Sequence, residues 1–226
     1  STPEEYEAKI AWTARQIDLL DGDIIDFQKI FSQGALKEAL ARTTKYRGAH
    51  HVGFDPDPGA PRLTPSVALV SRLPLAGPGT AHLLFPPGIA LPPGSRDADR
   101  FTRAVIHVPI VASPDCTIDV VVVHLKSRRP DYRNGDTGED AQVYAMACLR
   151  SLVRRGTEAV GLSVMLSNLA RDNKRPRVVL GDFNDVADSV TTAIVQGVGG
   201  PLGDRMFDAY DLQRTQDRLR HVGFSS

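Results

Sequence analysis

The chain has 226 residues, 27 basic and 27 acidic side chains, and a formal net charge of zero. That length can bury one substantial core or at most two small ones, and with no repeat or convincing linker a single domain over residues 1–226 is expected. The charge balance excludes a global field that would draw the chain onto long nucleic acid or an anionic membrane. No apolar run approaches the roughly 18 residues needed to span a bilayer. Cys116 and Cys148 stand far apart, outside any CxxC pattern. They read as two buried or half-buried thiols in a reducing, cytoplasmic setting.

In chain order, Thr2-Pro3-Glu4-Glu5 opens a helix: Thr2 as N-cap, Pro3 at the first helical position, Glu5 completing a capping box. Tyr6, Ile10, Thr13, Ile17 and Leu20 recur at helical spacing, and Asp21-Gly22-Asp23 ends the helix. Ile24 to Phe27 reads as a short strand and Gln33 to Arg42 as a second helix. His50 to Thr64 is rich in Pro, Gly and Asp and reads as a loop. Ser66 to Ser71 is a strand, and Ala76 to Asp99 a long Pro/Gly-rich excursion. Arg103 to Val111 and Ile118 to His124 form a hairpin about Ser113-Pro114-Asp115. Ser127 to Asp140 is a polar loop. Val143 to Leu169 has helical periodicity, with a bend expected near Gly156 and Gly161. Arg177 to Leu180 is a buried strand, Ser189 to Val195 opens another helix, and the signals fade beyond Gly197. Helices mixed irregularly with adjacent strands predict a mixed α/β fold with antiparallel pairs.

Three segments stand at strand ends, where catalytic groups collect on α/β scaffolds. They are Phe27-Gln28-Lys29-Ile30, His124-Leu125-Lys126-Ser127 and Gly181-Asp182-Phe183-Asn184. Alternation along a strand puts Asp182 and Asn184 on one face, where a carboxylate and an amide can orient a water and hold a phosphate oxygen. A turn explains the same pair equally well. His124, Lys126 and Ser127 offer donors for the negative charge of a phosphoryl group. Lys126, Arg128, Arg129 and Arg133 make the following loop basic. That loop reads either as a phosphate-binding surface or as a solvated one. Arg72 and Arg103, at strand ends, read as structural.

The order FQxI, SRLPL, HLKS and GDFN, from Tyr6 to about Phe207, resembles the endonuclease/exonuclease/phosphatase family. The resemblance implies a DNase-I-like, four-layer α/β/β/α sandwich and a phosphodiesterase, nuclease or phosphatase. It also implies Mg²⁺ or Mn²⁺ and in-line attack of an activated water on a phosphate ester. By position, His124 would bond the scissile phosphate, Asp182 would orient the water and take part in metal binding, and Asn184 would place the phosphate. Lys126, Ser127, Arg128 and Arg129 would bind substrate.

The sequence departs from that pattern at three places. Lys29 stands where the family carries its principal metal ligand, a Glu. Lys offers no acceptor. One repelling pair of unit charges at about 4 Å costs on the order of 4 kcal/mol at an effective dielectric of about 20. Weak or absent Mg²⁺ binding is therefore expected, with the Lys29 ammonium either in the vacated position and paired to Asp182 or, against its place just after an apolar strand, pointing to solvent. The family's opening strand with its Asn, and its closing strand with an Asp-His pair, have no counterpart; the last histidine, His221, has the wrong neighbours. The sandwich is then expected to be incomplete at both ends, or completed by a protein partner covering open sheet edges. The alternative function is that of an impaired relative, a non-catalytic binding or assembly subunit.

Overall fold

The computed structural model describes residues 2–55, 64–133 and 135–212; His221 lies outside the described residues. The chain forms two compact units. One comprises Ser1–Leu83, Arg103–His124 and Arg175–Gly181; the other comprises Leu84–Thr102, Leu125–Lys174 and Asp182–Ser226.

The first unit opens with α1 (Pro3–Leu20). The Thr2 hydroxyl accepts from the Glu5 N–H at 3.2 Å, and the Glu5 carboxylate accepts from the Thr2 N–H at 2.9 Å. This is the expected capping box. Then follow β1 (Ile24–Ile30), α2 (Gln33–Ala41), β2 (His50–Gly53) and β3 (Ser66–Ser71). These strands form an antiparallel sheet in the order β1-β3-β2. A second sheet has the order β4-β5-β6-β7, from β4 (Thr80–Leu84), β5 (Arg100–Ser113), β6 (Cys116–His124) and β7 (Arg177–Asp182). Val67 and Leu69 of the first sheet pack with Ile106, Val108, Ile110, Val120 and Val122 of the second, so the two sheets lie face to face. The alternate residues of β3, Ala68 and Val70, pack with Ile10 and Ile17 of α1 and Leu36 and Leu40 of α2. Both faces of β3 are buried, and its sequence is accordingly apolar on both.

The mixed α/β class with two sheets is what the sequence predicts, but three local readings need correction. His50–Gly53, expected to be loop, is a strand because β3 offers an edge to pair with, from His50 opposite Ser71 to Gly53 opposite Ala68. Thr80–Leu84, inside the expected excursion, is a strand at the edge of the second sheet. β1 runs three residues past Phe27 through a bulge: the register slips between Phe27 and Ile30, and Lys29 sits at φ 58°.

The second unit contains α3 (Ala141–Asn173), α4 (Val190–Gln196), a 3-10 turn at Leu202–Asp204, and α5 (Ala209–Leu212). α3 is continuous, without a break at Gly156 or Gly161. A Cβ at Gly161 would lie 2.9 Å from the Phe85 ring and 3.2 Å from Phe101, which themselves meet edge to face at 4.7 Å. That glycine admits two rings against the helix. Among the described residues no helix is long and apolar enough to cross a membrane.

Candidate functional site

β6 and β7 are neighbours, and hydrogen bonds near both ends show that they run parallel. The Asp119 N–H donates to the Pro176 carbonyl at 2.9 Å, and the Leu125 N–H to the Asp182 carbonyl at 3.0 Å. HLKS and GDFN therefore leave the same end of one sheet, where α/β folds place ligands.

In the first unit, β6 points Ile118, Val120 and Val122 inward, and period two makes His124 the next residue of that row. His124 is buried. The backbone beside it is pinned from two sides. Gln28 Nε2 donates to the Val123 carbonyl at 3.2 Å and to Asp26 Oδ1 at 2.7 Å. Arg103 donates to the Pro65 carbonyl at 3.0 Å and to the His124 carbonyl at 3.4 Å. Arg72 bonds Asp21 and Asp23 and lies over the Tyr46 ring, so both arginines are structural, as expected. Gln28 is a positioning residue that sequence reasoning missed, although its row with Ile24 and Asp26 was available as a period-two signal.

Gly181 allows β7 to come this close. Its φ is 135°, and a Cβ there would lie 2.0 Å from the Val123 carbonyl oxygen. Gly181→Ala is expected to cost about 3 kcal/mol, combining backbone strain with overpacking against main chain that cannot move aside. Urea denaturation measures it.

In the second unit, Asp182 and Asn184 form one closed turn. Asp182 Oδ1 accepts from the Asn184 N–H at 2.8 Å, and Asn184 Nδ2 donates to the Leu125 carbonyl at 2.8 Å. Asn184 adopts φ 52°, a left-handed conformation that Asn tolerates. The two side chains do not simply leave an extended strand on one face. They brace a turn that ties GDFN to HLKS.

The four substrate-binding candidates occupy different situations. The Lys126 ammonium is held by the carbonyls of Ser127 (3.2 Å) and Arg129 (3.0 Å) and by the Ser151 hydroxyl (3.3 Å). Ser127 is half-buried, and its carbonyl also accepts from that hydroxyl at 2.7 Å. Arg128 is exposed but paired to Asp185. Arg129 is exposed and has no ion pair among the described residues.

Two acidic groups organise this region, and neither was singled out from sequence. Glu158 of α3 is 1% exposed and accepts from the Lys126 N–H at 2.6 Å, the Thr102 N–H at 2.9 Å and the Thr102 hydroxyl at 2.6 Å. Burial pushes its carboxyl up, against those donors. Asp185 accepts from Arg128, from Arg155 Nε at 3.0 Å and from Thr191. Burial raises its pKa, but the hydrogen bonds from Thr191, Arg128, the Val186 N–H and Arg155 outweigh that and hold it well below the usual carboxylate range.

Lys29 does not match its expected placement. Its side chain is exposed and enters no ion pair among the described residues, so the expected pairing with Asp182 is not met. The bulge carries it out of the buried row. Among the described residues no group of three His, Cys, Asp or Glu could hold a divalent cation on its own. Asp182 already accepts a backbone N–H, and Lys29 contributes no oxygen.

No family model matches the chain, and no curated protein matches it. Solved structures do. ANGEL2, described as a 2′,3′-cyclic phosphatase, is 16% identical, with 92% of this chain covering 52% of that one at a TM-score of 0.50. A beta toxin variant from Staphylococcus aureus with bound magnesium ions is 16% identical, with 82% covering 61% at 0.52. An endonuclease/exonuclease/phosphatase family protein from Bacteroides thetaiotaomicron is 13% identical, with 86% covering 60% at 0.51. The chain spans about half to two thirds of the length of the solved chains it matches. Two facing sheets, flanking helices and these likenesses give the chain the DNase-I-like fold of the endonuclease/exonuclease/phosphatase proteins.

Proposed function

We propose that the chain binds phosphate esters and hydrolyses them with a water molecule. The observation that carries this reading is the hydrogen-bonded union of HLKS with GDFN, made by Leu125 to Asp182 and by Asn184 back to Leu125. A strand-end carboxylate held in a fixed turn suits the orientation of an attacking water. In this reading Asp182 orients that water and takes up its proton as the new P–O bond forms, the ester P–O bond breaks, and the departing alkoxide takes a proton from solvent. His124, at the end of the inward row of β6, donates to the phosphoryl oxygen. Asn184 fixes the turn that aims Asp182, and its carbonyl oxygen remains to order the water. The neighbours of this fold include a 2′,3′-cyclic phosphatase and a sphingomyelinase C, which supports a phosphate ester as substrate.

Among the described residues no three-ligand metal cage is present. That same fact favours a second reading, phosphate-ester binding without turnover. It rests on Lys29, an exposed cation where the resemblance calls for an acid. Hydrolysis of a generic phosphodiester, followed together with equilibrium binding of a non-hydrolysable analogue, separates the two. Turnover supports the first, and binding without turnover the second.

A further inference from the structure

Polar side chains interrupt the buried face of α3. Ser151, Arg155 and Glu158 follow one another at helical spacing, and they are 1%, 6% and 1% exposed. Positions on such a face are ordinarily apolar, because a polar group there costs free energy unless it is hydrogen-bonded. Each of the three holds a segment that carries HLKS or GDFN. The Ser151 hydroxyl donates to the Ser127 carbonyl at 2.7 Å, and Arg155 Nε donates to Asp185 at 3.0 Å. Glu158 Oε2 accepts from the Lys126 N–H at 2.6 Å. Its other oxygen, Oε1, accepts from the Thr102 N–H at 2.9 Å and from the Thr102 hydroxyl at 2.6 Å.

The Lys126 N–H and the Leu125 carbonyl belong to one peptide group. Glu158 holds that group by its N–H, and Asn184 Nδ2 holds it by its carbonyl at 2.8 Å. The Asn184 N–H in turn donates to Asp182 Oδ1 at 2.8 Å. A continuous chain of hydrogen bonds thus runs from the buried face of α3 to the carboxylate at the end of β7. The peptide group is planar and stiff, so a displacement of its N–H end is passed to its carbonyl end. Bonds to an ionised carboxylate are the strong ones, and bonds joined through a peptide polarise one another.

From this geometry we infer that Glu158 is a positioning residue for Asp182, acting through the Leu125–Lys126 peptide and the Asn184 side chain. The inference rests on the hydrolytic proposal for its kinetic consequence. Glu158 meets none of the reacting groups in that proposal. Its effect therefore falls on how well Asp182 is aimed, which is read in kcat, and not on substrate binding.

The test compares Glu158→Gln with Thr102→Val in the full chain. The single oxygen of a glutamine is claimed by the two Thr102 donors, which turns its NH₂ toward the Lys126 N–H and breaks the hold on the peptide. Thr102→Val removes a hydroxyl bond to the same carboxylate but leaves that hold in place, so it controls for a general loosening around Glu158. Thermal melts check that each variant is folded. Glu158→Gln is expected to lower kcat on a generic phosphodiester about tenfold to a hundredfold with KM within about twofold of the parent, while Thr102→Val keeps both. In NMR spectra of isotope-labelled protein, the Asn184 side-chain amide protons are expected to move in Glu158→Gln and to stay in Thr102→Val. If Glu158→Gln does not fold, hydrogen exchange in the parent decides: a Lys126 amide as protected as the β6 core upholds the hold by Glu158, and a fast-exchanging one overturns it. Equal falls in kcat for the two variants overturn the inference, as does an unmoved Asn184 amide in Glu158→Gln. A chain that turns over normally in Glu158→Gln defeats this inference alone. A moved Asn184 amide in a chain that hydrolyses no diester upholds the hydrogen-bonded chain and defeats the hydrolytic reading.

Discussion

Asp182→Asn is expected to lower phosphodiester hydrolysis by about a hundred- to ten-thousandfold while leaving the fold intact. The range is that of a positioned general base. Asn is the informative replacement because the side-chain oxygen of Asp182 has two tasks. It accepts the Asn184 N–H at 2.8 Å, which holds the turn, and in the proposed reaction it takes a proton from water. An Asn oxygen keeps the first task and loses the second. Alanine would lose both, and a fall in rate could then be structural. Steady-state kinetics beside a thermal melt make the distinction. A variant with parental stability and parental rate removes Asp182 from the reaction.

The second large effect is on stability. Asp185→Ala is expected to destabilise the protein by about 3–5 kcal/mol, the range for removing one partner of a buried ion pair. The side chains of Asp185 and Arg155 are 5% and 7% exposed. Arg155 already has one buried N–H, at Nη1, without a partner in the structure. Losing Asp185 would leave a buried cation with no counter-charge and release Arg128 and Thr191 as well. The pH dependence has a definite sign. Asp185 is held below the usual carboxylate range in the folded state. Its contribution is therefore present above the ordinary Asp pKa of about 3.9 and lost as pH falls toward the folded value. Urea midpoints from pH 7 downward should converge between parent and Asp185→Asn in acid. Parallel curves would show that the carboxylate charge contributes nothing.

The parts of the fold readable from sequence were those whose local chemistry agrees with tertiary packing. The capping box at Thr2, the doubly buried β3 and the β5–β6 hairpin each carry their own signal. β2 and β4 did not, because His50–Gly53 and Thr80–Leu84 are held by the sheet edges they pair with. The bulge in β1 was half legible. Ile25, Phe27 and Ile30 all pack on the helix-facing side, and that spacing breaks period two. Recognising it would have placed Lys29 in the bulge, exposed. HLKS and GDFN announced themselves as motifs, but their union through Asn184 and Leu125 depends on a parallel register that sequence does not print. Glu158 and Asp185 were missed for a related reason. Each is an acid with charged or polar partners distant in the chain, 56 residues for Thr102 and Glu158 and 57 for Arg128 and Asp185, although Asp185 also accepts from Thr191 nearby.

The most direct measurement is the rate of hydrolysis of a generic phosphodiester by the full chain and by Lys29→Glu, each with and without Mg²⁺ or Mn²⁺. Because Lys29 is exposed and makes no ion pair with Asp182, turnover by the parent is expected not to rise with metal, and Lys29→Glu, which adds a carboxylate outside the buried row, is expected to behave like the parent. Metal-stimulated turnover by the parent would contradict the reading of Lys29, and no turnover by either chain under any condition would contradict the hydrolytic reading itself.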